Sequence, residues 1–189
     1  NPSAQVEPIP NQVLCNQEFT EEIIFTTENI DGTTSYSWTN DNVAIGIAAA
    51  GDGNISSFVS ANVAASSISS TITVTPTYTN NGISCTGLSE TFTITVNPSA
   101  QVEPIPNQVL CNQESTEEII FTTENIDGTT SYSWTNDNTT IGLPVAVGSG
   151  NIGSFNVINT TSQSQTATFV VTPSYTNNGI SCTGLSETF

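Results

Sequence analysis

Residues 1–42 recur as residues 97–138 with one change, Phe19 against Ser115. Residues 74–92 recur as 171–189, again with one change, Thr77 against Ser174. Between these blocks the copies diverge, 43–73 against 139–170, and the second copy carries one extra residue. A repeat of nearly a hundred residues is too long for a solenoid unit, which runs about 20–50 residues. It matches a small domain that folds by itself. The chain therefore reads as two tandem domains, 1–96 and 97–189. Copy one continues past Phe92 as Thr-Ile-Thr-Val, whereas copy two reaches only the matching Phe189. The expectation is an excerpt of a longer array whose second copy lacks the end of its last strand, leaving an open sheet edge.

Each copy is patterned for strands. Ile72, Val74, Pro76 and Tyr78 alternate with Thr71, Thr73, Thr75 and Thr77. Phe92, Ile94 and Val96 alternate with Thr91, Thr93 and Thr95. A period of two with an apolar and a threonine face describes half-buried strands. Ile23 with Phe25, and Tyr36 with Trp38, mark two more strands, and Phe58 and Phe155 another. Asp31-Gly32, Gly51-Asp52-Gly53 and Asn81-Gly82 supply turns. No stretch sustains a helical period. About seven short strands in some 96 residues, with a tryptophan on one of the central ones, predict an all-β chain of two immunoglobulin-like β-sandwiches. Trp38 and Trp134 are read as core residues. Asn97-Pro98-Ser99-Ala100 joins the copies without a Gly/Ser-rich linker.

The chain has 17 acidic residues and no Lys, Arg or His. Without cations it has nothing to neutralise phosphates, which argues against nucleic acid, and nothing to dock on anionic lipid. No apolar run approaches the roughly 20 residues of a membrane-spanning helix, so no membrane insertion is expected. The missing residue types also remove Ser-His-Asp and Cys-His catalysis, Schiff bases and phosphate-binding lysines. Two carboxylates flanking a glycoside would remain as chemistry, but no pair is placed by pattern. The chain is read as no enzyme, with no cofactor beyond a candidate calcium ion. There is no initiating Met and no basic region before an apolar stretch, so no signal peptide is recognised.

Each copy has two cysteines, Cys15 with Cys85 and Cys111 with Cys182. An even count in each domain points to an oxidising compartment. The favoured pairing is Cys15–Cys85 and Cys111–Cys182, each closing a loop of some 70 residues that would stabilise its domain by roughly 4 kcal/mol. The rival is a bridge between neighbouring domains, such as Cys15–Cys182. In a plain sandwich, a cysteine before the second strand and one before the last strand tend toward opposite ends. Lys–Asn isopeptide staples are impossible without Lys.

Asp41 follows the tryptophan strand, and Glu124 and Asp127 lie in the repeated loop Thr-Thr-Glu-Asn-Ile-Asp-Gly. If domains stack head to tail, these three carboxylates could meet as oxygen ligands for calcium at the joint. The competing reading is ordinary turns, where Asp and Asn bond their own backbone. Asn54, Asn138 and Asn159 stand in N-x-S/T sequons.

Ser-Tyr-Ser-Trp-Thr-Asn-Asp-Asn from Ser35, the Cys-Thr-Gly turn at Cys85 and the closing Thr-Phe-Thr-Ile-Thr-Val-Asn-Pro strand come in a familiar order. Together they resemble the PKD-like, immunoglobulin-type repeats of very large surface proteins in Bacteroidetes-type bacteria. The usual Trp-Asp-Phe-Gly-Asp-Gly run is replaced here by Trp38-Thr39-Asn40-Asp41-Asn42. The resemblance implies a β-sandwich, export to the bacterial cell surface, a role in adhesion, gliding or filament-like stalks, and no catalytic residues. The expected function is a structural repeat of an extracellular stalk, whose partners are adjacent repeats of the same long chain. Two alternatives stand beside it. The repeats bind a surface glycan or a neighbouring fibre by avidity, with contacts diversified in 43–73 and 139–170, or they self-assemble by strand addition.

Overall fold

The computed structural model describes residues 1–189. The chain divides into two compact units, Asn1–Pro98 and Ser99–Phe189. It is all-β apart from two single 3₁₀ turns, and each unit is built on one sheet.

In the first unit the threonine-flanked alternation at Ile72–Tyr78 becomes the longest strand. The strands are β1 (Gln12–Cys15), β2 (Thr33–Asn40), β3 (Ala50–Asp52), β4 (Ile68–Asn80), β5 (Ile83–Thr86) and β6 (Glu90–Asn97). The sheet order is β1-β6-β4-β2-β3, with β5 also pairing β4. All pairs are antiparallel except β1 and β6, which run parallel with Gln12 opposite Ile94 and Cys15 opposite Asn97. On one side β4 pairs with β6 up to Val74 and with β5 from Thr77. Pro76 stands at that break. Its carbonyl accepts from Gly87 N–H on the same side, so its missing N–H falls where the ladder is interrupted.

The apolar face of this sheet carries Trp38, Ile72, Val74, Phe92, Ile94 and Val96, packed with Leu14, Ile23, Phe25, Ile45 and Ile55. The covering layer differs from the sequence expectation of further regular strands. Residues 19–25 meet 55–59 only through isolated antiparallel bridges, Phe19 with Val59 and Ile23 with Ile55. Side chains take over from the ladder there. Asn54 Oδ1 accepts from Phe25 N–H, Thr20 Oγ1 from Phe58 N–H, and Ser57 Oγ–H donates to Thr20 C=O. Asn, Thr and Ser side chains supplement the few backbone bonds, so Thr20, Ile23, Phe25 and Ile55 are buried without lying in regular strands.

The second unit repeats the plan in β7 (Thr129–Asn136), β8 (Val147–Ser149), β9 (Phe169–Asn177), β10 (Ile180–Thr183) and β11 (Glu187–Thr188), with sheet order β10-β9-β7-β8 and β11 on β9. The extra residue falls in the loop before β8. There Asn136 Nδ2 donates to Leu143 and Val145 carbonyls, where Asn40 Nδ2 grips Ile47 and Ala48. One buried asparagine thus holds a loop of either length.

The disulfide expectation is corrected. Cys15 and Cys182 are disulfide-bonded, while Cys85 and Cys111 are free thiols. Neither Cys15–Cys85 nor Cys111–Cys182 is formed. The register explains it. Cys15 is opposite Asn97, next to the Val96–Ile68 pair at the start of β4, whereas Cys85 is opposite Tyr78 near its end. Ten residue steps of strand separate Ile68 from Tyr78, about 33 Å at about 3.3 Å each. A disulfide needs Cα atoms within about 7 Å.

Candidate functional site

The strand β6 has no full counterpart in the second unit, and the consequences are local and ordered. In the first unit β6 runs between β1 and the first half of β4, with Val13 opposite Thr95 and Ser70 opposite Ile94. In the second unit the corresponding strand is Glu187–Thr188, followed by Phe189, the last residue of the sequence. Residues 108–111 form no strand, and β9 begins at Phe169, the position of Ile72 in the other copy. Val109 is 98% exposed and Leu110 is half-buried, where Leu14 is buried.

A cleft of about 700 Å³ lies between residues 107–110 and 164–169, the equivalents of the two strands that β6 joins. Its apolar lining includes Leu110, Ile119, Ile141, Phe155, Phe169 and Phe189. Phe189 stacks on Phe169 with ring centroids 5.3 Å apart. Ile94 and Val96, the residues of β6 that point inward in unit one, are fully buried there.

Asp41 and Asp137 are engaged within their own units. Asp41 Oδ1 accepts from Thr71 N–H at 2.8 Å and Ser70 Oγ–H at 3.2 Å. The Thr71 backbone N–H is the main reason its carboxyl is held below the ordinary aspartate value. Asp137 repeats the contact with Thr168 N–H at 2.7 Å. Glu124 and Asp127 are exposed in the loop before β7, and Asp127 turns the chain at φ 63°. No three Cys, Asp or Glu side chains gather into a group that could hold a metal ion.

Of the three sequons, Asn138 and Asn159 have their amide nitrogens donating to Thr166 and Gln163 carbonyls. Trp38 and Trp134 are buried, and each fills the space over a glycine of the neighbouring strand. The Trp134 indole N–H donates to Gly150 C=O at 3.0 Å, whereas the buried Trp38 N–H has no partner. Tyr78 and Tyr175, also buried, donate to Ile30 and Ile126 carbonyls and anchor the loops before β2 and β7. These tyrosine anchors were not singled out in the sequence. Their signal was a tyrosine at the end of the threonine-alternating strand.

No family profile and no curated protein matches the chain. Among solved structures it is similar to the FN1-FN3 domains of chicken CNTN1, at 10% identity and a TM-score of 0.34. The match covers all of this chain, which spans 64% of that one. At that score the fold description stands on the strand order and register above.

Proposed function

We propose that each unit is a structural module of an extracellular tandem array, acting as a spacer and not as a catalyst. The observation that carries this is that two nearly identical sequences each close their own core around the same tryptophan, tyrosine and asparagine anchors. The polar side chains near each core hold backbone in place and leave no gathered set of acids, bases or nucleophiles. The disulfide-bonded Cys15 and Cys182 support an oxidising, extracellular setting. The resemblance to surface repeats supports placing the array on a bacterial cell. Variation concentrated in 43–73 and 139–170 keeps the buried Ile55 and its counterpart Ile152 in place.

Binding to a glycan array is the test. The scaffold reading expects no saturable binding by the intact chain. Saturable binding that disappears when 43–73 is replaced by 139–170 would instead make the repeats ligand-binding modules.

A further inference from the structure

The two free thiols sit at positions that are disulfide-bonded in the other copy. Cys111 is the second copy's version of Cys15, and Cys85 is the first copy's version of Cys182. The bonded cysteines are thus one of each kind, and the free ones are again one of each kind. Their local frames match in part, since Cys15 ends a strand opposite Asn97 and Cys111 lies in no strand. Cys15 N–H donates to Glu18 Oε2 and Cys111 N–H to Glu114 Oε2. Beside them, Asn16 and Asn112 side chains accept from Asn62 and Asn159 N–H. Cys85 faces Tyr78 across a two-stranded ladder, as Cys182 faces Tyr175. Cys111 is exposed and Cys85 half-buried.

We propose that Cys111 of one chain and Cys85 of a second copy are a cross-linking pair that extends the protein covalently, one disulfide per junction. A second copy brings a thiol of each kind, so Cys111 and Cys85 of different chains offer the same two kinds of position that are disulfide-bonded at Cys15 and Cys182. The inference rests on the repeat alignment and holds whether or not the array is a spacer.

The chemistry is thiol–disulfide exchange with a small disulfide such as oxidised glutathione. The Cys111 thiolate attacks one glutathione sulfur and expels a glutathione thiolate. The Cys85 thiolate of the second chain then attacks Cys111 Sγ and expels the other. Two protein thiols are oxidised, one glutathione disulfide is reduced, and both thiol protons end on the two glutathiones.

The test uses the intact chain in a glutathione redox buffer, read by non-reducing electrophoresis and thiol titration. The expected result is a ladder of multiples, with free thiol falling from two per chain toward zero. Cys85→Ser and Cys111→Ser should each remain monomeric alone, and their mixture should form a dimer and stop there. The absence of Lys and Arg defeats trypsin, but cleavage after Glu places Cys85 in 29–90 and Cys111 in 91–114, the Glu103–Pro104 bond being resistant. Those two fragments should be found joined. Homodimers of either single variant, or thiol loss without a ladder, would overturn the proposal.

Discussion

Trp38 pairs with Gly51 across the β2–β3 ladder, and its indole occupies the space a side chain on residue 51 would need. A β-carbon built at Gly51 lies 2.3 Å from Trp38 Cζ2, and one at Gly148 lies 2.1 Å from Trp134 Cζ2. Gly51→Ala and Gly148→Ala should each destabilise their unit by about 1–3 kcal/mol, because the ring must leave its packed position. Gly153→Ala, with nothing within 4 Å of the new carbon, should stay within about 0.5 kcal/mol of the parent. Urea unfolding followed by tryptophan fluorescence measures all three.

Asn62 and Asn159 occupy equivalent positions but differ in what they hold. Asn62 is buried, and its Nδ2 donates to Ser66 C=O at 2.9 Å and to Val96 C=O at 2.7 Å. Asn159 keeps only the first of these, to Gln163 at 2.8 Å. Asn62→Ala should cost about 2–3 kcal/mol and Asn159→Ala about 1 kcal/mol. Urea unfolding with Trp134→Phe or Trp38→Phe isolates each unit's signal. Equal losses would show that the bond to Val96 contributes nothing.

Much of this could be read from the residues because period-two alternation and turn dipeptides act locally. Ile72–Tyr78, Phe92–Val96 and Tyr36–Trp38 are strands with the expected faces. The covering layer was harder to read. Ile23 and Phe25 alternate like a strand, yet only Ile23 finds a backbone partner, Ile55, and the Phe25 N–H is taken by the Asn54 side chain. The parallel β1–β6 pair left no local signal, since Gln12–Cys15 gains its partner 82 residues away. The cysteine pairing depends on which end of β4 each residue faces. Sequence order hints at that, but only the register fixes it.

Asp41 makes stability depend on acid. Its folded pKa lies below the ordinary value of 3.8, chiefly through the Thr71 N–H. A depressed folded pKa adds stability above the unfolded pKa, and that stability is lost as pH falls through the folded one. Acid titration of the unfolding midpoint should therefore show a decline below about pH 4. Asp41→Asn should flatten that decline while leaving the Ser70 and Thr71 contacts able to form. An unchanged slope in the variant would remove Asp41 from the account.

The groove beside Phe189 predicts that an added segment gains order. Adding Thr-Ile-Thr-Val-Asn after Phe189 should place an isoleucine and a valine where Ile94 and Val96 sit in unit one. Burying the two contributes about 3–6 kcal/mol before the cost of ordering the five added residues. Hydrogen exchange should slow at 108–111 and 165–168, the equivalents of strand residues in unit one. An extension with Ile and Val replaced by Ser should not slow it.

The spacer reading is tested most directly by small-angle X-ray scattering on chains of one, two, three and four copies. It predicts that the maximum dimension rises by a constant increment of roughly 40 Å per copy, the length of a strand of about a dozen residues. A maximum dimension that grows only as the cube root of copy number would mean that the copies coalesce, and would contradict it.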